Sequence, residues 1–357
     1  MKRFDQLTTR GQVRRLRRLA AEALSAFGLP DARFELIQHW ENSTFRVNIR
    51  EEQQAGSITD RVVPGRYLLR LHRPDEISLA YIESEMAWLE ALARDTDLCV
   101  PTPVRSPDGR LALEYANADF PELDGDPEGR RVCSLLRWVP GRLLKGKARR
   151  LVHMQRLGGL MAQLHQHAAT WSPPFELNVN RWDGPTLMGR HKALGIEPDV
   201  WDELPAKESD LFAACEERLT SALDKLGQGP DVFGLIHADL HFNNVLYAGG
   251  EARPIDFNDC GHGHFVLDAA CALLGFDPPD GEQPWRAAFA EGYEQHRPLP
   301  PQTMELLDLF LAARQVTLML WCYSCARHRE AFREMLPRWR ASLLPDLTAR
   351  LNCQSAQ

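Results

Sequence analysis

Long apolar runs are missing from this 357-residue chain: none reaches the roughly 18 residues that a membrane span requires. The closest, "LMLWCYSCA", is short and lies between Arg314 and Arg327. An apolar signal region is missing too, because "MKRFDQLTTR" is followed by an Arg-rich stretch, and Asp5 and Glu22 count against a transit peptide. The eight cysteines are scattered, which with no export signal points to reduced thiols and a cytoplasmic setting. Cys322 and Cys325 form one C-x-x-C without a second ligand pair, inside a helix-like apolar stretch, and read as core rather than as a zinc or redox site. Internal repeats and low-complexity segments are absent. So is an excess of positive charge. The net charge is −7, and seven basic residues against two acids in positions 1–24 leave about −12 for the rest. That acidic body speaks against nucleic acid as a partner. The basic stretch itself has helical periodicity and reads as the solvated face of a leading helix.

What is present is an ordinary globular composition, 44% hydrophobic and 25% charged, with enough chain for a sizeable core. The pattern changes near residue 140. Before it, "FELIQHW", "FRVNI", "RYLLRLH", "GRLALEYA" and "RRVCSLLRWV" read as five strands. Between the third and fourth lies a helix, "ISLAYIESEMAWLEALARD", with Ile82, Met86, Leu89 and Leu92 on one face. After residue 140 helical patterns dominate: a long helix from 148 to 171 despite Gly158 and Gly159, another over 207–226, and a mostly helical run from Pro284 onward. Residues 173–200 read as loop. "ARPIDF" reads as a strand and "FVLDAACALLGF" as a short helix.

The densest polar cluster is "HADLHFNNVL", residues 237–246, set between two strand-like runs. Three readings compete. If extended, His237, Asp239 and His241 would point to one face and could cage zinc or iron in a metal-dependent hydrolase. Alternatively the segment serves phosphoryl transfer: one aspartate orients an attacking hydroxyl, an asparagine five positions later holds a metal on nucleotide phosphates, and a later aspartate holds it from the other side. A polar turn satisfying its own backbone is the third. The second reading demands Asn244, which is present, and an aspartate some 15 to 20 residues on at the end of an apolar strand, which Asp256 of "ARPIDF" supplies. Magnesium is a hard cation that takes oxygen ligands, so one carboxylate and one amide oxygen suffice when phosphates supply the rest.

With H-x-D-x-x-x-x-N at His237, Asp239 and Asn244, and I-D-F at Ile255 to Phe257, the chain resembles the aminoglycoside and choline kinase-like phosphotransferases, small-molecule relatives of protein kinases. The resemblance extends over nearly the whole chain. It implies an α+β, bilobal, protein-kinase-like fold. A small N-terminal lobe, 1–137, would carry the antiparallel sheet, one internal helix and the nucleotide; a larger helical lobe, 138–357, would carry catalysis and substrate. It implies ATP and Mg2+ as cofactors, a small-molecule hydroxyl as acceptor, and neither nucleic acid nor membrane as partner.

Residue by residue, the resemblance makes Asp239 catalytic and Asn244 and Asp256 metal ligands. It places Arg70 on the nucleotide phosphates with Glu85 as its partner, Glu83 competing for that role. Arg70 stands where the family carries lysine, and its planar fork is not a lysine's point charge. The phosphate loop "HWENSTFRV" lacks glycine, so backbone amides and the Ser43 and Thr44 hydroxyls would contact phosphate. Adenine would pair with backbone groups at Arg137 and Val139. Asp268 would anchor the catalytic loop, and His165 would be a packed structural histidine. The glycine-free loop and Arg70 keep a nucleotide-binding pseudoenzyme open. On the acceptor side, a protein Ser/Thr kinase of the stress-response type stands beside the amino alcohols and aminoglycosides.

Overall fold

The computed structural model describes residues 6–39, 42–50, 63–73, 78–116, 130–191, 195–274 and 281–353. The polar excursion at 51–62, the loop at 117–129, and Trp40 and Glu41 of the phosphate loop lie outside them. The chain forms two compact units: Met1–Pro140 with Ser172–Asn178, and Gly141–Trp171 with Val179–Gln357.

The first unit opens with α1 (Thr9–Ala26), capped by the Thr8 hydroxyl, which accepts from the Gly11 amide. Its arginines at 10, 14, 17 and 18 are exposed while Leu16, Leu19, Ala23 and Leu24 are buried, so the basic stretch is a solvated face. Strands β1 (Arg33–His39), β2 (Ser43–Ile49) and β3 (Gly65–Leu71) follow, then α2 (Leu79–Asp95), β4 (Ala112–Ala116) and β5 (Arg130–Arg137). They make the five-stranded antiparallel sheet expected from the sequence, in the order β1-β2-β3-β5-β4. The period of two in β3 sorts its residues between the two faces. Tyr67, Leu69 and Leu71 join the core formed with α1, which leaves Arg70 on the opposite face. Ile82, Met86, Leu89 and Leu92 of α2 are buried, as their spacing requires.

The second unit begins with α3 (Leu151–Thr170), followed by β6 (Asn180–Trp182), α4 (Gly184–Leu187), α5 (Ala206–Leu226) and β7 (Phe233–Ile236). Next come β8 (Val245–Ala248), β9 (Glu251–Pro254), β10 (Gly261–His264) and four helices: α6 (Phe265–Leu273), α7 (Gln283–Glu294), α8 (Pro301–His328) and α9 (Glu330–Cys353). Strands pair as β6-β10-β7 and β8-β9. Segment 173–200 is therefore less featureless than its composition suggests. "ARPIDF" is strand only to Pro254, so Asp256 lies beyond the ladder.

Gly158 survives inside α3 because α7 crosses against it: a Cβ there would overlap the Phe289 carbonyl oxygen, and one at Gly292 would overlap that of Gln155. Alanine is intrinsically about 1 kcal/mol better than glycine in a helix interior. Here the steric clash reverses the sign. Gly158→Ala is expected to lower the melting temperature in a thermal denaturation scan; a rise would mean the helices are free to separate.

Although no unbroken apolar run is long enough, α8 contains by composition a window apolar enough to cross a bilayer. Of that window 72% is buried within the protein, as in a core helix. Cys322 is fully buried on the same helix, with burial pushing its thiol up to about 11, so the C-x-x-C is a packed, unreactive pair of positions.

Candidate active site

Residues 237–244 link β7 to β8 and contain the whole polar cluster. The link turns sharply. Ala238 sits at φ 65°, a left-handed conformation that costs a non-glycine residue on the order of 1–2 kcal/mol. Asp268, in the first turn of α6 and fully buried, holds it there. Its Oδ1 accepts the Ala238 amide at 2.6 Å, and its Oδ2 accepts the His237 amide at 3.0 Å and His165 Nε2–H at 3.0 Å. A helix N-terminus favours a carboxylate. Burial pushes the Asp268 carboxyl up, but the hydrogen bonds from His165 and the His237 backbone prevail and hold it below its ordinary value. Beneath the loop, the Cys271 thiol donates to the Ala238 carbonyl at 3.1 Å.

Both histidines here are neutral. Burial lowers His165 against the opposing pull of Asp268; its Nε2–H donates to that carboxylate, and Nδ1 accepts from the Tyr293 hydroxyl at 2.9 Å. Burial likewise lowers His237, whose Nε2–H donates to the Ile255 carbonyl at 3.2 Å while Nδ1 accepts the Asp239 amide at 3.4 Å. His72, in the first unit, is lowered mainly by burial, then by Arg70 and Arg131. Such groups bind fewer protons folded than unfolded below pH 6.5, so stability falls with falling pH. The slope is up to about 1.4 kcal/mol per pH unit for each histidine. Denaturant titrations at pH 8, 6.5 and 5.5 should show little change over the first step and a clear loss over the second. A flat profile would contradict the neutral, buried assignment.

Asp239 presents its carboxylate at the surface of a cavity, one quarter exposed. Arg314 Nη2 donates to Oδ1 at 2.8 Å, and Asn244 Nδ2 donates to Oδ2 at 2.7 Å and to the Asp239 carbonyl at 3.0 Å. His241 Nε2 stands 3.5 Å from Oδ2. Because Asn244 spends its amide protons on Asp239, its amide oxygen is turned away, as a cation ligand would need. Asp256 is exposed at φ 65°, one residue past Ile255, whose amide donates to the Asn244 carbonyl at 2.9 Å. Backbone pairing thus brings Asn244 and Asp256 to one end of the β8-β9 ribbon. Among the described residues no group of three His, Cys, Asp or Glu could hold a metal alone. A cation fits this oxygen donor set when phosphate oxygens complete its shell. The hydrolase alternative fails on the same geometry, because His237 turns its Nε2 into the protein toward Ile255 instead of joining Asp239 and His241 around an ion.

In the sequence Arg314 stands out only as the flank of an apolar run. A lone arginine inside "LFLAARQVTLML" was the available signal: a buried charge in a helix of that kind needs an acid to face.

In the first unit, Arg70 Nη2 donates to Glu85 Oε1 at 2.7 Å, both side chains almost fully buried. Arg70 Nε also donates to the Ser134 hydroxyl at 3.3 Å, and His72 Nε2 lies 2.9 Å from that same oxygen. Glu83 is only half-buried and is not Arg70's partner in this pair. Ser43 is buried with its hydroxyl 2.9 Å from His39 Nδ1, and Thr44 is half-buried opposite Arg70 in the β2-β3 ladder. The Arg137 amide donates to the Thr102 carbonyl at 2.8 Å, so a pairing of Arg137 with adenine would use its carbonyl.

Residues 33–306 match the profile of the APH phosphotransferase enzyme family. The chain belongs to this family. Homoserine kinase of Chelativorans sp. (strain BNC1) is 26% identical over 269 residues, covering 72% of each chain. Amicoumacin kinase of Bacillus subtilis (strain 168) is 23% identical over 267 residues, 71% of this chain and 72% of the relative. Among solved structures, the microcompartment-associated aminopropanol kinase superposes with a TM-score of 0.75 and 28% identity, over 95% of this chain and 98% of that one. An amicoumacin kinase in complex with AMP-PNP and Ca2+ gives a TM-score of 0.70 at 20% identity, over 92% of each, a likeness of fold. The protein is thus a kinase-type phosphotransferase with an alcohol acceptor, on a mixed α/β protein-kinase-like fold. The family's chemistry uses ATP and a divalent metal ion. The protein Ser/Thr kinase alternative gains no support from these likenesses.

Proposed function

We propose that this enzyme moves the γ-phosphoryl group of ATP, as its Mg2+ complex, to a hydroxyl of a small molecule. The observation that supports this best is the Asp239 carboxylate, fixed by Arg314 and Asn244 and facing a cavity of about 340 Å3 within the second unit. That volume lies near the small end of ligand pockets, which favours an acceptor on the scale of homoserine or aminopropanol, after which relatives are named, over a large antibiotic.

The acceptor hydroxyl donates to an Asp239 oxygen, and its lone pair attacks the γ-phosphorus. The bond from phosphorus to the bridging oxygen breaks, ADP departs, and the hydroxyl proton passes to Asp239 late. The transition state is loose, so the aspartate mainly orients. Arg70, braced by Glu85 and Ser134, holds nucleotide phosphate with the planar fork in place of a point charge. Magnesium held by Asn244 and Asp256 would neutralise charge on the phosphates. The test is ADP release across a panel of small alcohols with Mg-ATP, with and without chelator. Turnover that needs both an alcohol and the metal supports the proposal, and metal-independent hydrolysis unaffected by any alcohol contradicts it.

A further inference from the structure

Among the described residues, the charges around the cavity before Asp239 are already met. Arg314 donates to Asp239 at 2.8 Å, faces Asp259 as well, and lies over the Trp182 ring at 5.7 Å. Arg149 is engaged by the Leu144 carbonyl at 3.1 Å, by Asn243 at 3.2 Å and by the Phe242 ring at 4.8 Å. His241 stands 3.5 Å from the Asp239 carboxylate. What these groups leave for the far end of an acceptor is apolar wall: Leu274 just past α6, Leu318 on α8, and Trp339 and Leu343 on α9. An ionic group placed there would lose its water without gaining a partner.

The α9 part of that wall is fixed from both sides. Trp339 and Leu343 are four residues apart and share one face of the helix. The Trp321 ring packs against Trp339 at 6.1 Å. The next residue, Arg340, donates through Nε at 2.8 Å to Oε1 of buried Glu208, whose Oε2 accepts from the Tyr323 hydroxyl at 2.8 Å. Beyond Leu343, Gln315 donates to Asp346 at 2.6 Å, and Arg350 joins Asp346 at 2.8 Å to Asp308 at 2.6 Å. Pro337 and Pro345 bracket the wall segment, and each takes its amide out of the helix ladder. A helix that gives up ladder bonds on either side of its cavity residues, with both flanks pinned, presents a preset shape to what enters.

We propose that the acceptor carries an uncharged, apolar group away from its hydroxyl, and that Trp339 is the residue that limits how long this group can be. The proposal rests on the phosphotransferase reading and adds the acceptor's other end. Two measurements with Mg-ATP test it, each reading the phosphate ester as product. The first compares butan-1-ol, 4-aminobutan-1-ol and 4-hydroxybutyrate on wild type. Butan-1-ol should exceed both in kcat/KM by about tenfold or more, because a charge meets no partner at the wall. The second runs straight-chain alcohols from ethanol to octan-1-ol. Wild type should gain about fourfold per methylene, as a buried CH2 implies, until the chain meets Trp339, and then fall. Trp339→Ala should raise the ratio of octan-1-ol to butan-1-ol by about tenfold or more, with Trp339→Phe between, because the chain gains room for buried methylenes. Looser helix packing slows both alcohols alike and cancels in the ratio. An unchanged ratio in folded Trp339→Ala overturns the proposal.

Should the Trp339 variants not fold, Leu343→Ala decides on the neighbouring wall position: a gain confined to the longer alcohol supports the assignment, and no gain overturns it. Preferred turnover of the amino alcohol or the hydroxy acid overturns it too while leaving phosphoryl transfer intact. ADP accompanied only by inorganic phosphate with every alcohol overturns both.

Discussion

Asp239→Asn is expected to lower kcat/KM by about 10²- to 10⁴-fold, the span usual for loss of a positioned acid–base group. The replacement is nearly isosteric, so the cause is chemical. An asparagine has one acceptor oxygen where the carboxylate has two, and its amide protons would face either Arg314 or Asn244, both donors. The acceptor hydroxyl then loses its oriented partner, and Arg314 keeps a buried charge without its acid. The fall should lie mainly in kcat, with ATP affinity retained, because nothing in the change touches Arg70 or Glu85. Steady-state kinetics on both substrates check it. Full activity would remove Asp239 from the chemistry.

Asp268→Asn is expected to destabilise the protein by about 3 kcal/mol, and by more if relaxation around the site is limited. Asp268 is fully buried, yet it accepts three hydrogen bonds, two from the backbone of the catalytic link. An asparagine there must turn an amide nitrogen toward at least one of those donors. The left-handed turn at Ala238 loses the contact that offsets its strain. A shift of about 4 °C in melting temperature corresponds to that loss for a chain of 357 residues. Activity should fall as well at temperatures where the variant is folded. Melting and turnover measured together separate this from a purely catalytic defect: Asp268→Asn loses both, Asp239→Asn chiefly turnover.

The elements that place these residues were legible where side-chain periodicity is local. The alternation in "RYLLRLH" and the helical face of "YIESEMAWLEAL" are consequences of backbone geometry, and they put Arg70 and Glu85 on facing surfaces before any contact is known. The Asp–Asn–Asp spacing was legible because one short link and one two-stranded ribbon carry it. Strand β10, "GHGH", was not, since glycine is a poor strand former. It is glycine by necessity: a Cβ at Gly261 would overlap the Asn180 carbonyl oxygen of the neighbouring strand. Arg314 was missed for a different reason. Its partner lies 75 residues away, on a loop, and no local pattern links a helix arginine to a loop aspartate across that distance. The same holds for Ser134, which steadies Arg70 from the neighbouring strand β5, 64 residues on, and is itself held by His72.

The most direct test of the account is product identity. Wild-type enzyme, Mg-ATP and a turned-over alcohol, followed by ³¹P NMR, should give one equivalent of a phosphate monoester of that alcohol for each ADP formed, and Asp239→Asn should give neither at a comparable rate. ADP accompanied only by inorganic phosphate, at a rate indifferent to the alcohol and to Asp239, would contradict it.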